Sequence, residues 1–473
     1  MSSNLSSITR LNFKSRPAFT RLRTTVAFVL MALVVSVSNL SGQETYTEES
    51  GILNDGTRYM MRMPSNWNGT LIRDLDFVTR SHDARYLDML VRGFAVAGTA
   101  RHERRWVGFY DPAREISHLD AVLDLFEERF SKPDRVIQYG CSGGGHVTLA
   151  VAEDFSERID GAVAFGAHTP MWFWNTMLDG WFVLKALLAP DLKIIDLPRE
   201  KGSLRPAYEP LVFAWRQAID EAQKTPEGRA RIALAVTIGQ WPDWVNPTNQ
   251  NPNREDVHEL QLSMYRTVRQ FTIDIGGLSR FMFESAAGVG LTQPSSNVGV
   301  DYAEFFKGGN KSHRNAVNQL YAEAGLQLES DIETINNLAR VSSDPEALEY
   351  WSAPGRTVVG KPKIPVLRIH DVGDPVLPVS QVQGYDDQIQ ANGKEDLYRT
   401  AFTGAATHCG FTVAESAAAI EVMTRRLDTG AWTSTTPESL NVLAKELDES
   451  SNSRFISFDE YKVDSYNRTW IPE

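Results

Sequence analysis

Val136-Ile137-Gln138-Tyr139-Gly140-Cys141-Ser142-Gly143-Gly144-Gly145-His146 is the stretch on which the reading of this chain turns. A short run with strand character leads into Gly-x-Ser-x-Gly, and Val147, Leu149, Ala150, Val151 and Ala152 then supply the body of a buried helix. A serine between strand and helix must sit on a sharp, strained turn. Glycines two residues to either side let neighbouring backbone approach where a Cβ would clash. Such a turn lifts the Ser142 hydroxyl to the tip of a sheet and sets the Gly143 N–H at a helix start, facing a developing oxyanion. Glycine-rich turns also join elements without any chemistry, so the motif gains weight only from partners elsewhere in the chain.

Working outward, 59–63 and 70–72 read as strands of a hairpin-like opening around the turn cluster Pro64-Ser65-Asn66-Trp67-Asn68-Gly69. The stretch 85–91 reads as a helix and 93–98 as a short buried strand. Leu119, Val122, Leu123, Leu125 and Phe126 have helical spacing within 116–130, and strands are expected at 135–139 and 159–165. This alternation indicates an α/β fold with a mostly parallel sheet flanked by helices. From 169 to 351 the short apolar strands stop, and long stretches such as 254–271 and 314–328 read as helices. Seven of the eleven tryptophans lie there, Trp351 at its boundary. Core packing is the ordinary use of such aromatics; a helical lid over a site is the functional one, with Trp172, Trp174 and Trp241 as candidate substrate contacts. Strands resume at 364–369 and 396–402, helices are expected at 413–426 and 437–447, and 454–458 reads as an edge strand.

A serine hydroxyl needs a base to remove its proton and an acid to orient that base. The strand at 364–369 runs into His370-Asp371-Val372-Gly373-Asp374-Pro375, where Asp374 sits in a turn just beyond the strand and Asp371 competes for the acid role. The next strand ends in Thr407-His408-Cys409, which offers His408 as the base. The second oxyanion donor is expected in the loop after 70–72, from the backbone of Asp76 or Phe77. The chain has two cysteines: Cys141 precedes the candidate nucleophile and Cys409 follows the candidate base. If Ser142 and His408 touch, these neighbours come within disulfide reach in an oxidising compartment.

Cys141-Ser142, a later Asp374 and His408-Cys409 resemble the linked triad of the tannase and feruloyl esterase family within the α/β hydrolases. The resemblance implies an α/β-hydrolase core (43–168 and 352–473) with an inserted helical lid (169–351) and a carboxylic ester hydrolase working through Ser142. The elbow departs from that family where Gly143-Gly144-Gly145-His146 replaces a threonine, two glycines and an arginine. An aromatic or apolar acyl group is expected from the tryptophan-rich insertion. An amidase with the same triad is the nearest alternative, and a non-catalytic binding protein of this fold a more distant one.

Composition limits the remaining choices. The 473 residues suffice for a large core with an insertion, and the net charge of −12 argues against a nucleic-acid partner. The expected partner is a small-molecule ester or amide, with no metal or organic cofactor. Arg10, Lys14, Arg16, Arg21 and Arg23 precede an apolar run at 26–37 and a small, polar stretch at 38–42. That order is a secretory signal over 1–42, too short in its apolar part to span a bilayer, so a secreted or periplasmic enzyme without a stable membrane span is expected.

Overall fold

The computed structural model describes residues 35–36, 46–103, 110–195, 209–273, 293–450 and 452–458. Of the proposed signal segment, only the two-residue strand β1 (Val35–Ser36) is described; the rest lies outside these residues. Nine further strands follow: β2 (Tyr46–Ile52), β3 (Arg58–Pro64), β4 (Thr70–Asp74), β5 (Ala95–Thr99), β6 (Arg135–Cys141), β7 (Gly161–Phe165), β8 (Val366–Asp371), β9 (Tyr398–Thr403) and β10 (Phe455–Ile456). They form one sheet in the order β1-β2-β3-β5-β4-β6-β7-β8-β9-β10. The strands from β5 to β9 in that row run parallel, while β3 lies antiparallel to both β2 and β5. The terminal strands β1 and β10 are antiparallel to β2 and β9, and this sheet, with β4 and β5 exchanged in the row around a parallel centre, is that of an α/β hydrolase.

Burial follows from the topology. Every residue of β4, β5, β7 and β8 is buried, and β6 is buried except at Arg135, as expected for strands covered on both faces. One face packs Leu71, Ala95, Val136, Ala162 and Val366 against helix Pro112–Arg129 and helix Gly143–Asp154. The other packs Ile72, Val96, Ile137, Val163 and Ile369 against helices Ala84–Val91 and Val413–Thr429. The latter helix starts in a capping box between Thr412 and Glu415 and stops at Gly430, whose φ of 72° is left-handed.

The opening hairpin differs from the sequence expectation. The β3 strand pairs with β2 through a tight turn in which Gly56 N–H donates to Leu53 O (2.9 Å) and Leu53 N–H to Thr57 O (2.8 Å), while β4 lies between β5 and β6. The cluster at 64–69 therefore crosses between non-adjacent strands rather than closing a hairpin. The strand β2 escapes a periodicity reading because Tyr-Thr-Glu-Glu-Ser-Gly-Ile lacks apolar alternation; Glu48 is held instead by a 2.7 Å ion pair to buried Arg62 on β3.

Between β7 and β8, eight helices are present among the described residues, from Pro170–Leu187 to Pro345–Ser352. They share a core of their own, in which Trp181 meets Trp215 edge-on at 5.1 Å and Trp241 at 5.9 Å. Gly180 and Gly239 leave room for the Trp241 ring, which a Cβ on either would strike. The expected stretch 314–328 is two helices, Lys311–Glu323 and Leu328–Asn336. The chain's return to the sheet is tied to the helix after β6, because Glu153 accepts the N–H groups of Val359 (2.8 Å), Gly360 (2.8 Å) and Lys361 (3.2 Å) and the Tyr385 hydroxyl (2.6 Å). No described helix is long and apolar enough to cross a membrane.

Candidate active site

Ser142 stands between β6 and helix Gly143–Asp154 with φ 61° and ψ −123°. Only two other described non-glycine residues have positive φ, Gln240 and Cys409. Such a conformation costs on the order of 1–3 kcal/mol and persists only where surroundings hold it. Here the Ser142 N–H donates to Phe165 O and Gly166 O (3.1 Å each), and Ser142 O accepts from His146 N–H (2.9 Å) and His168 N–H (3.2 Å). The flanking glycines are required by contact. A Cβ on Gly140 would lie 2.5 Å from Gly144 O, and one on Gly145 would lie 2.7 Å from Phe165 O.

The loop after β8 gives the two aspartates different partners. Asp374, fully buried, accepts Val376 N–H (2.8 Å) and Leu377 N–H (2.9 Å) on Oδ1, and its two oxygens lie 3.0 and 2.8 Å from His408 Nδ1. An ionised carboxylate only accepts, so Nδ1 carries the proton and the Nε2 lone pair is left for another donor. Asp371 instead accepts the hydroxyls of Thr403 and Thr407 (the latter at 2.6 Å), bracing the residue before His408; burial pushes its carboxyl up to about 6. Gly373 lets this loop press against Trp244 O, so the helical insertion abuts the Asp374 loop.

Cys141 and Cys409 are joined by a disulfide with Cα atoms 6.0 Å apart, across 268 positions. A Cβ on Gly166 would sit 3.5 Å from both Asp374 Oδ2 and Cys141 Sγ, so acid, sulfur and serine turn converge on one point at the ends of β6, β7 and β8. Ser142 Oγ and the His408 ring share no direct hydrogen bond; in unliganded sites such contacts are commonly long and tighten on binding. Both residues remain partly accessible to solvent.

In the loop after β4, one of the two expected backbone donors is occupied. Asp76 N–H donates to Asp74 Oδ1 (3.0 Å), so this backbone donor is already taken within the protein. The Asp76 carboxylate grips Arg101, Oδ1 to Nε at 2.7 Å and Oδ2 to Nη2 at 2.5 Å. Phe77 buries its ring against Tyr86 at 5.1 Å. Burial, followed by the neighbouring Asp76 charge, pushes Asp74 up to about 6. Arg101 is a residue of the site that sequence reasoning missed. Its position two residues beyond the end of β5 was the available signal, since sheet crevices are built from such loops.

Of the candidate tryptophans, Trp174 is buried between Trp351 (4.6 Å) and His168 (6.1 Å). Trp241 is fully buried in the insertion's core against Trp181 and Phe271 (5.1 Å). The side chain of Trp172 lies outside the described residues.

His146, in the first turn of the same helix, is fully buried, with neither ring nitrogen hydrogen-bonded among the described residues. Burial, with Arg101 adding to it, pushes its pKa down to about 3. A depressed base contributes stability that is complete above about pH 6.5 and is lost as pH falls toward 3, at about 1.4 kcal/mol per pH unit. Denaturant titrations at pH 4–6 should therefore show a shallower fall for His146→Leu than for the parent; parallel slopes would contradict the assignment.

No protein-family model matches the sequence. Among solved structures, an esterase of Pyrococcus furiosus is 13% identical, covering 83% of this chain and 93% of that one at a TM-score of 0.35. Feruloyl esterase B of Aspergillus oryzae is 12% identical over 84% of this chain and 83% of its own, at a TM-score of 0.38. The sheet order, and not these scores, carries the fold assignment. A much nearer relative is the o-phthalyl amidase of Xanthobacter agilis, 50% identical over 446 residues that span 90% of this chain and 98% of that enzyme. Agreement at half of all positions over nearly the full length of both proteins, on an α/β-hydrolase sheet, makes this chain a hydrolase that belongs to the o-phthalyl amidase family.

Proposed function

We propose that this chain is a serine amidase that cleaves the amide bond of o-phthalyl (2-carboxybenzoyl) compounds through an acyl-enzyme on Ser142. The observation that carries the reading is the His408 Nδ1–Asp374 pair, tied through the Cys141–Cys409 bond to a serine held at positive φ. The 50% identical amidase supports the choice of amide over ester, the bond first expected from sequence, and supplies the acyl group.

In this scheme Ser142 Oγ attacks the carbonyl carbon while its proton passes to His408 Nε2. Asp374 holds the imidazolium by Nδ1–H. The Gly143 N–H, in the first turn of its helix, meets the oxyanion, with the Phe77 N–H as the second backbone donor. Collapse breaks the C–N bond as His408 returns the proton to the departing amine. Water, deprotonated by the same histidine, then attacks the acyl carbon and releases phthalate and free Ser142. The insertion would act as a lid over this crevice, and the basic, apolar and small-residue order at the N-terminus, together with the disulfide, supports export.

Asp374→Asn is expected to lower kcat by about 10⁴-fold, because the histidine loses its orienting acceptor. Asp371→Asn, two hydroxyl bonds away, should cost far less. Steady-state kinetics on phthalamic acid measure both; equal losses would reassign the acid. Matched phthalyl amides and esters test the bond, and an enzyme that turns over only the esters would overturn the amidase reading.

A further inference from the structure

We infer that Arg101 is the residue that selects an acyl group bearing an ortho carboxylate, by holding that carboxylate beside the scissile carbonyl. This rests on the acyl group and nucleophile proposed above, and assigns the recognition to a residue.

The guanidinium occupies the room that a side chain on the residue after Ser142 would take. A Cβ on Gly143 would lie 2.5 Å from Arg101 Nη1 and 3.4 Å from the Tyr110 hydroxyl oxygen. Gly143 therefore both offers the oxyanion N–H and leaves the space for the cation. Arg101 has five N–H donors. Asp76 takes one on Nε and one on Nη2, and Cys141 O accepts from Nη2 at 3.4 Å. None of the described residues accepts from Nη1, the atom nearest Gly143. A side chain exposed by 17% and clamped along one edge thus presents its other edge, fixed in orientation, to the serine turn.

The chemistry of the acyl group matches this placement. In a 2-carboxybenzoyl compound the carboxylate stands on the ring carbon next to the one bearing the scissile carbonyl. Once Gly143 N–H holds the carbonyl oxygen, the carboxylate must lie within the same small region. Attack by Ser142 then creates a second negative charge beside it. A fixed cation there offsets a repulsion that an unsubstituted acyl group never generates, and the N-terminus of helix Gly143–Asp154 adds to the same field. Asp76 keeps the guanidinium charged and aimed: burial opposes its charge, and the carboxylate more than compensates.

The test compares kcat/KM for phthalamic acid with that for 4-nitrophenyl acetate, in the full chain and in Arg101→Gln. The ratio of the two is expected to fall by about 100-fold or more in the variant, as for loss of one partner of a hydrogen-bonded charge pair. Equal losses on both substrates, or no loss, would overturn the inference and leave the amidase reading standing. A parent enzyme active on 4-nitrophenyl acetate but not on phthalamic acid would overturn the acyl-group reading, and this inference with it. Should Arg101→Gln not fold, Arg101→Lys and product inhibition decide. The parent should be inhibited by phthalate more strongly than by benzoate, and Lys, lacking the fork, should lose that preference; retained preference counts against Arg101.

Discussion

Ser142→Ala is expected to lower kcat for a phthalyl amide by about 10⁴-fold or more, with thermal stability nearly unchanged or slightly raised. Removing the nucleophile leaves only oxyanion stabilisation and binding, which give a small residue of catalysis over water. The stability expectation has a separate origin. The backbone of Ser142 is held by its own N–H and C=O bonds to Phe165, Gly166, His146 and His168, none of which involves the hydroxyl. Alanine keeps the strained φ of 61° and all four contacts. Single-turnover kinetics and a melting curve on the same preparation separate loss of chemistry from loss of fold.

The second large effect concerns the disulfide. Replacing Cys141 and Cys409 together by serine opens a loop spanning 268 positions. In the chain-entropy model that cross-link is worth about 5 kcal/mol, an upper figure for such bonds. Activity should fall as well, by about 100-fold, because displacement of a reacting group by an ångström is enough for that. The reason is local: His408 is fixed by two attachments, Asp374 at its ring and Cys409 at its backbone, and the latter residue itself sits at a φ of 60°. Denaturant titration and kinetics with and without a reductant measure both losses. Full activity in the double variant would show that Asp374 alone positions the imidazole.

What could be read from sequence depended on how local the signal was. The serine turn was legible because a Cβ on Gly140 would strike Gly144 O, a contact within five residues of chain. Asp374 and His408 were legible because each follows a strand whose neighbours are fixed by sheet order, and the cysteines reported a long-range contact directly. The strand β2 was not, since Glu48 and Glu49 find their partners Arg62 and Arg129 on other elements. The surroundings of Trp241 were not legible, since an aromatic packing on glycines 180 and 239 and one lining a cleft look alike in a linear chain. Arg101 carries the least signal of all. It stands in a run of basic residues, and only three-dimensional proximity distinguishes it, through Gly143 on one side and Asp76 on the other.

The polar groups behind the site fit the same account. Tyr86 donates to Asp74, whose other oxygen holds the Asp76 backbone, and Asp76 in turn holds Arg101. This chain of contacts fixes the loop after β4 against the serine turn without any backbone pairing, which is why no local pattern announces it.

The most direct measurement is the mass of the covalent species. A fluorophosphonate probe, followed by proteolysis and peptide mapping, should place a single adduct on the peptide containing Ser142, and prior incubation with phthalate should slow its formation. An adduct on a different residue, or no adduct with an enzyme that remains active on phthalamic acid, would contradict an acyl-enzyme at the end of β6.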